Sequence, residues 1–202
     1  MNFVYFRNSL RDSPVFSLSD ARSIFDNFDR RRLSEWQEKG YIRKIIKGHY
    51  LFSETPVDEG LLWTVANKIY KPSYISFETA MSHYRLIPES VYMITSVSTR
   101  RTYRFETPLA RFSYRTLKPS LFFGYTILSG GIRMASMEKA VLDYFYLNPG
   151  IQGDEDFSSL RINRDEVLER FDRERFAAYA RRFGQKRLLT VVEQFLSWMG
   201  HA

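Results

Sequence analysis

An α+β fold is what the sequence predicts, and three observations predict it. Residues 1–55 set short helical patterns ahead of one Gly-turned hairpin. Residues 56–202 run from helix into three to five strand-like segments and then back into helices. The final helical pattern is the clearest of the chain, with Leu188, Leu189, Val192, Phe195, Leu196 and Met199 on one stripe. The expectation is therefore two units. The first, 1–55, is a three-helix and hairpin unit; the second, 56–202, is a mixed α/β domain with an antiparallel or mixed sheet and a helical tail. The length of 202 residues suits two small domains, and 44% apolar with 16% aromatic residues suffices for packed cores.

Each element has a local reason. Met1–Leu10 reads as a helix that Pro14 must end. Ser17, with Asp20 three residues on, is a capping-box pattern opening a helix through about Phe25. Asn27 or Asp29 caps a third helix, which runs to Lys39 and stops at Gly40, the expected left-handed position. Tyr41–Ile46, a Lys47-Gly48 turn and His49–Phe52 then read as a β-hairpin. Three helices and a two-stranded ribbon follow the order of a winged helix-turn-helix.

Polar, Pro-containing Ser53–Pro56 marks the boundary. Val57–Tyr70 carries Leu61, Leu62, Val65 and Ile69 at helical spacing, and Ser76–Tyr84 is a second short helix behind strand-like Tyr74-Ile75. The strands are expected at Val91–Val97, Thr102–Glu106, Arg111–Leu117, Phe122–Leu128 and Gly131–Met134, with Ser129-Gly130 as a hairpin turn. Ser136 caps a helix over Met137–Tyr146. An acidic loop, Gly153–Asp156, leads to two or three helices over Asn163–Met199. Ser76–Met81 and Ser136–Val141 share a Ser, apolar, Glu, x, Ala, apolar pattern, which helix-start chemistry explains without a repeat.

Composition narrows the function. Cysteine is absent, which excludes disulfides, thiolate zinc sites and cysteine nucleophiles. Thirty basic against 23 acidic side chains give a net charge of +7, pointing to a polyanionic partner, nucleic acid before membrane surface. No apolar run approaches the ~20 residues of a spanning helix, and Arg7, Arg11 and Asp12 disqualify the N-terminus as a signal peptide. A soluble cytoplasmic protein is expected. The charge is segregated: Asn27–His49 nets +4, Val97–Lys118 +5 and Arg170–Arg187 +5, so the remainder nets −7.

On the third helix, 100° per residue turns Leu33 and Trp36 inward and sets Arg31 nearly opposite, with Ser34, Glu35 and Glu38 around it. Arg31 and Ser34 are then the candidates for base edges, and Arg30 and Arg32 on the shoulders for phosphates. Glu35 and Glu38 either lie off the backbone or accept from cytosine. Arg43, Lys44, Lys47 and His49 surround the hairpin turn as a basic wing. The plain alternative is a solvated helix surface, since a run of charges commonly has no other role.

The stretch Phe16–Phe52, above all Gly40-Tyr-Ile-Arg-Lys-Ile-Ile-Lys-Gly48-His-Tyr50, resembles the N-terminal winged helix of AbiEi-type antitoxins. Tyr74–Ala80, Leu86–Glu89, Phe122–Gly124 and Met134–Asp143 are similar to that family's C-terminal domain. Ile45-Ile46 departs from the more basic wing of many relatives. The resemblance implies a bacterial transcriptional regulator of the type IV toxin–antitoxin class, linked to abortive phage infection. Its N-terminal domain would bind its own promoter as a repressor, and its C-terminal domain would carry the antitoxin activity. The functional partner it implies is a nucleotidyltransferase-like toxin, without a stable protein complex. The expected state is a monomer or weak dimer.

The second domain offers no complete active site, so neither enzyme chemistry nor a cofactor is expected. His49, His83 and His201 lack ligand spacing, and Asp154–Asp156 reads as a solvated acidic loop rather than a cation site. Gly130-Gly131 is a turn and not a phosphate loop, because no Gly-Lys-Ser/Thr follows. Glu138, Lys139 and Asp143 fit capping and helix-surface roles. Arg100, Arg101, Tyr103, Arg104, Arg111 and Arg115, where arginines interleave with aromatics, are the candidates for a second nucleic-acid surface. Period-two alternation sets Arg101, Tyr103 and Phe105 on one face and Thr102, Arg104 and Glu106 on the other. An edge strand protected by arginines reads the same way. An RNA-binding or nucleic-acid-processing effector built on these strands is the alternative to the DNA-binding antitoxin. The basic tail, Arg170–Arg187, is read as the outer face of the terminal helices.

Overall fold

The computed structural model describes residues 2–88 and 93–200, which form ten α-helices and two sheets in a mixed α+β architecture. The expected positions Val91, Glu89 and His201 lie outside the described residues.

Residues 2–52 build the smaller assembly in the order α1 (Phe3–Ser9), β1 (Val15–Ser17), α2 (Leu18–Ile24), α3 (Arg31–Glu38), β2 (Ile42–Ile46) and β3 (His49–Phe52). The capping box at the start of α2 is complete: the Ser17 hydroxyl accepts the Asp20 N–H at 3.1 Å, and the Asp20 carboxylate accepts the Ser17 N–H at 2.9 Å. At α3 the Asp29 carboxylate accepts the Arg31 N–H at 2.9 Å, and Gly40 (φ +71°) ends the run in the left-handed region that a side chain disfavours. The sequence reading lacked β1, three residues too few to show a period. It pairs antiparallel with β3, so the hairpin is part of a three-stranded sheet ordered β1-β3-β2. Phe6, Phe16, Phe28, Leu33, Trp36, Ile42 and Phe52 form this assembly's core.

The hairpin also has a second apolar side. The pleat turns Ile42 and Ile45, three apart, to opposite faces, and a bulge interrupts the register between Lys44 and Ile46. Ile42 joins the small core, whereas Ile45, with Val15 and Leu51, joins the large one. The apolar Ile45 is thus a docking residue between the assemblies.

The larger assembly centres on a six-stranded mixed sheet ordered β6-β7-β5-β4-β9-β8. Its strands are β4 (Ser73–Ile75), β5 (Met93–Ser98), β6 (Tyr103–Glu106), β7 (Arg111–Thr116), β8 (Tyr125–Ile127) and β9 (Arg133–Ala135). β5 with β7 and β4 with β9 pair parallel; the other neighbours pair antiparallel. One face carries α4 (Glu59–Ile69), where the Tyr114 hydroxyl donates to the Ala66 carbonyl at 2.7 Å. The other carries α5 (Phe77–His83) and α6 (Met137–Leu147), with Thr95 bonded to Thr79 and Tyr74 to Asp143.

The tail is α7 (Asp154–Ser159), α8 (Arg164–Arg170), α9 (Arg173–Phe183) and α10 (Lys186–Gly200), and α10 buries Leu188, Val192, Phe195 and Met199 as its stripe requires. The acidic segment Asp154–Asp156 is the first turn of α7 and not a loop; acids there complement the positive end of the helix dipole. No helix of the described residues is long and apolar enough to cross a membrane.

Candidate nucleic-acid interface

α3 is held by Leu33 and Trp36, which are buried against Phe6 and Phe28 and so fix its rotation. Arg31, Ser34 and Glu38 occupy the exposed stripe, with Arg30 exposed just ahead of it. Among the described residues neither Arg30 nor Arg31 has an ion-pair partner. Arg32 is different: it lies 3.5 Å from Glu35 and is half-exposed. Glu35 is also bonded to Lys39 at 2.7 Å, and that ammonium holds its carboxyl below the ordinary range. This acid is therefore turned along the helix toward its own cations.

The four cationic and histidine residues expected around the hairpin turn do not share one surface. The pleat sends Arg43 and Lys44 to opposite sides of β2. Arg43 shares the side of Leu51, facing the large domain, and its guanidinium donates to the Thr55 carbonyl at 3.4 Å. Lys44 lies exposed on the helix side, and Lys47 is exposed at the turn. His49 is half-buried on the docked side. Burial pushes its imidazole below the ordinary value of 6.5, opposed by backbone groups of Lys47 and Lys68, and Asp20 and Lys71 are the charges around it. Lys68 crosses the junction to donate to the Val15 carbonyl at 2.5 Å. Among the described residues Arg30, Arg31, Lys44 and Lys47 remain outward without an ion-pair partner, while exposed Arg43 is bonded to the Thr55 carbonyl and His49 is half-buried at the junction.

The second basic stretch divides between the two faces of the sheet. In the β6–β7 register Tyr103 faces Tyr114 and Phe105 faces Phe112, placing these four rings on the α4 side. Arg104, opposite Ser113, and Arg111, opposite Glu106, lie on the other side with Arg115. Arg115 is half-buried, and its guanidinium donates to the Leu147 carbonyl at 3.3 Å. It joins Arg187, which donates to the Phe145 and Tyr146 carbonyls at 3.0 and 3.4 Å. Two arginines thus satisfy the unpaired carbonyls at the C-terminus of α6, where the helix dipole favours cations. For Arg187 this corrects the expected outer-face role.

On the α4 side, Ile69, Tyr70, Arg100, Arg101, Tyr103 and Phe105 line an open cleft of about 290 Å³. Tyr70, which sequence reading placed only as a helix end, is its floor. The missed signal was the spacing to Tyr103, visible only once β6 lay beside α4.

The helix-surface reading of Glu138, Lys139 and Asp143 is overturned, for all three are buried. Lys139 and Asp143, four apart on α6, form a direct ion pair. The ammonium also donates to the Tyr74 hydroxyl at 2.7 Å; Tyr74 and Ser76 hydroxyls donate to the second Asp143 oxygen at 2.8 and 2.9 Å. Ser76, expected as a cap for α5, makes no side-chain cap bond there and serves this carboxylate instead. The rings of Phe183, Phe123 and Tyr74 lie 5.0, 5.1 and 5.3 Å from the ammonium. Gly124 (φ +72°) permits the close approach: a Cβ there would stand 3.1 Å from the Lys139 side chain. Burial pushes Asp143 up and Lys139 down, each opposed by the other's charge. Glu138 accepts the Asp172 N–H at 3.0 Å, tying α6 to the start of α9. The cluster has no exposed member, so its chemistry is architectural. Among the described residues no three His, Asp or Glu side chains gather as a metal site.

Compared with protein-family models and with curated proteins, the chain matches none.

Proposed function

We propose that this chain is a DNA-binding transcriptional autorepressor and antitoxin of a type IV toxin–antitoxin system acting in phage defence. Residues 1–55 act as a winged helix-turn-helix, a reading supported by the order helix, strand, helix, helix, hairpin and by the sheet that joins β1 to the ribbon. The observation that carries it is the outward stripe of α3: Arg31 and Ser34 exposed and flanked by Arg30, with neither guanidinium paired to an acid among the described residues, on a helix whose inner face is fixed by Leu33 and Trp36.

The division of labour follows from the chemistry. The Arg31 guanidinium offers two parallel donors to a guanine's O6 and N7, and Ser34 donates or accepts beside it. Arg30, Lys44 and Lys47 are point attractions for backbone phosphate, which set register and affinity without reading sequence. Glu35, engaged by Lys39 and Arg32, does not oppose that approach. The antitoxin half of the proposal rests on the resemblance of residues 74–80 and 134–143 to AbiEi-type proteins, with a nucleotidyltransferase-like toxin as the functional partner. Cytoplasmic location and a non-enzymatic mode of action belong to the same reading.

The test is binding to the chain's own upstream DNA. Arg31→Ala is expected to cost about 1–3 kcal/mol on the operator and far less on unrelated duplex. Lys47→Ala is expected to weaken both and to reduce the salt slope by about one. If Arg31→Ala shifts the operator as well as the parent does, the recognition role is lost.

A further inference from the structure

The cleft beside β6 has a different construction from the α3 surface. Tyr103 is 44% exposed, and its ring is braced from behind by Phe105 at 4.6 Å and by Tyr70 at 6.1 Å, the latter nearly parallel at 18°. Arg100 lies over the Tyr70 ring at 4.5 Å. Three hydrogen bonds fix the backbone that carries the two arginines. The Arg100 N–H donates to the Ser98 hydroxyl at 3.1 Å, the Thr116 hydroxyl donates to the Arg100 carbonyl at 2.8 Å, and the Tyr70 hydroxyl donates to the Arg101 carbonyl at 2.8 Å. The nearest acid in the strand, Glu106, lies in register opposite Arg111 on the other face of the sheet. Among the described residues Arg100 and Arg101 have no carboxylate partner.

We propose that this cleft binds an unpaired nucleotide of a single-stranded nucleic acid, the base stacking on Tyr103 and the adjoining phosphates meeting Arg100 and Arg101. Edge-strand protection requires charge but not an exposed, braced aromatic ring. A braced ring beside unpaired guanidinium groups on a rigid backbone meets both demands of single-strand binding, a π-face and a phosphate grip. A base inside a duplex cannot present its face to Tyr103, so the cleft selects unpaired nucleotides. RNA and DNA single strands share this chemistry. The inference goes beyond the duplex reading of α3 and does not depend on it.

The experiment is fluorescence anisotropy of the full chain with labelled oligo(U) RNA, oligo(dT) DNA of equal length, and a duplex of the same length. Tyr103→Ala is expected to weaken single-strand binding roughly 5- to 100-fold, the loss of one stacked base, whereas Tyr103→Phe keeps binding within about twofold. Arg100→Gln with Arg101→Gln is expected to lower the single-strand salt slope by about 1.4. Thermal midpoints within a few degrees of the parent's certify that each variant is folded. Preference for oligo(U) assigns the source to RNA, and preference for oligo(dT) to DNA; either result supports the cleft. The proposal is overturned if the parent binds neither strand, if Tyr103→Ala binds like the parent, or if Tyr103→Phe fails as badly as Tyr103→Ala. Arg31→Ala must leave single-strand binding unchanged. Its loss there would merge the two surfaces and also overturn the proposal, while failure of the operator test alone would leave the cleft standing.

Discussion

Removing the ammonium of Lys139 tests the buried cluster on α6. In Lys139→Met the apolar stem is retained, so contacts with Phe123 and Phe183 persist while Asp143 loses its counter-charge. The carboxyl then has the Tyr74 and Ser76 hydroxyls as donors and no access to solvent. Breaking a buried pair from one side costs about 3–5 kcal/mol, and protonation of the carboxyl sets a ceiling on that cost. From an ordinary carboxyl value of 3.8, each pH unit costs about 1.4 kcal/mol, so the ceiling is about 4 kcal/mol at pH 7 and about 1.5 kcal/mol at pH 5. The sign follows from proton uptake. In the variant the folded chain holds a proton on Asp143 that the unfolded chain releases above 3.8, so stability falls as pH rises through that window. Urea unfolding at both pH values reads the difference between parent and variant. A companion Lys139→Met/Asp143→Asn variant removes the charge altogether and is expected to recover most of the loss at pH 7. A loss below about 1 kcal/mol at pH 7, or an equal loss at pH 5 and 7, would refute a buried charge held by Lys139.

Two other outcomes are expected. Burial lowers the His49 imidazole in the folded chain, so the unfolded chain binds more protons just below pH 6.5 and stability declines as pH falls through 6.5. His49→Gln should flatten that part of the stability–pH curve, and an unchanged curve would remove His49 from the junction. Arg115→Ala should cost about 1 kcal/mol in urea unfolding and Arg187→Ala about 1.5–3 kcal/mol, because the latter uncovers two α6 carbonyls. Neither should change oligonucleotide affinity. A drop in affinity for Arg115→Ala at unchanged stability would return that residue to the nucleic-acid surface.

Elements closed by their own neighbours were legible in the sequence. Ser17 and Asp20, Gly40 and the Lys47-Gly48 turn each act within four residues, and each specifies its element locally. β1 was not legible because its three residues become a strand only through β3, more than thirty positions away. Ser76 shows the same limit. Its position before α5 is a cap position, yet Asp143 on α6 takes the hydroxyl. The Lys139–Asp143 pair had only an ambiguous signal: opposite charges four apart flanking the apolar run Ala140–Leu142 read equally as an ordinary pair on a helix surface. On the candidate interface, the face of α3 followed from rotation about Leu33 and Trp36. The pleat alone parts Arg43 from Lys44, but which side of the hairpin is covered depends on the docking of Leu51 and Ile45, a tertiary fact.

A net charge of +7 says little until each cation is matched with what holds it. A guanidinium already bonded to a carbonyl or a carboxylate must give up that bond to meet a phosphate, whereas a free one keeps its full attraction. In the tail, Arg187 serves α6 carbonyls, Arg170 pairs with Glu166, Arg175 lies between Asp172 and Glu138, and Arg182 stacks over Phe123 at 3.8 Å. Four of the seven cations in that segment, as basic as any in the sequence, are thus engaged within the protein. Near the N-terminus Arg32, Lys39 and Arg43 are similarly engaged, and Arg30, Arg31, Lys44 and Lys47 are left. In the strands Arg115 is engaged, while Arg100, which lies over the Tyr70 ring, and Arg101 have no carboxylate partner among the described residues and stand beside an exposed ring. Two groups of cations without a carboxylate partner among the described residues differ in shape. One is a convex helix stripe with a ribbon, suited to a groove; the other is a cleft with an aromatic floor, suited to a base outside any duplex. A chain that both represses at duplex DNA and meets a single strand would need two such surfaces, and separate point variants on each can uncouple them.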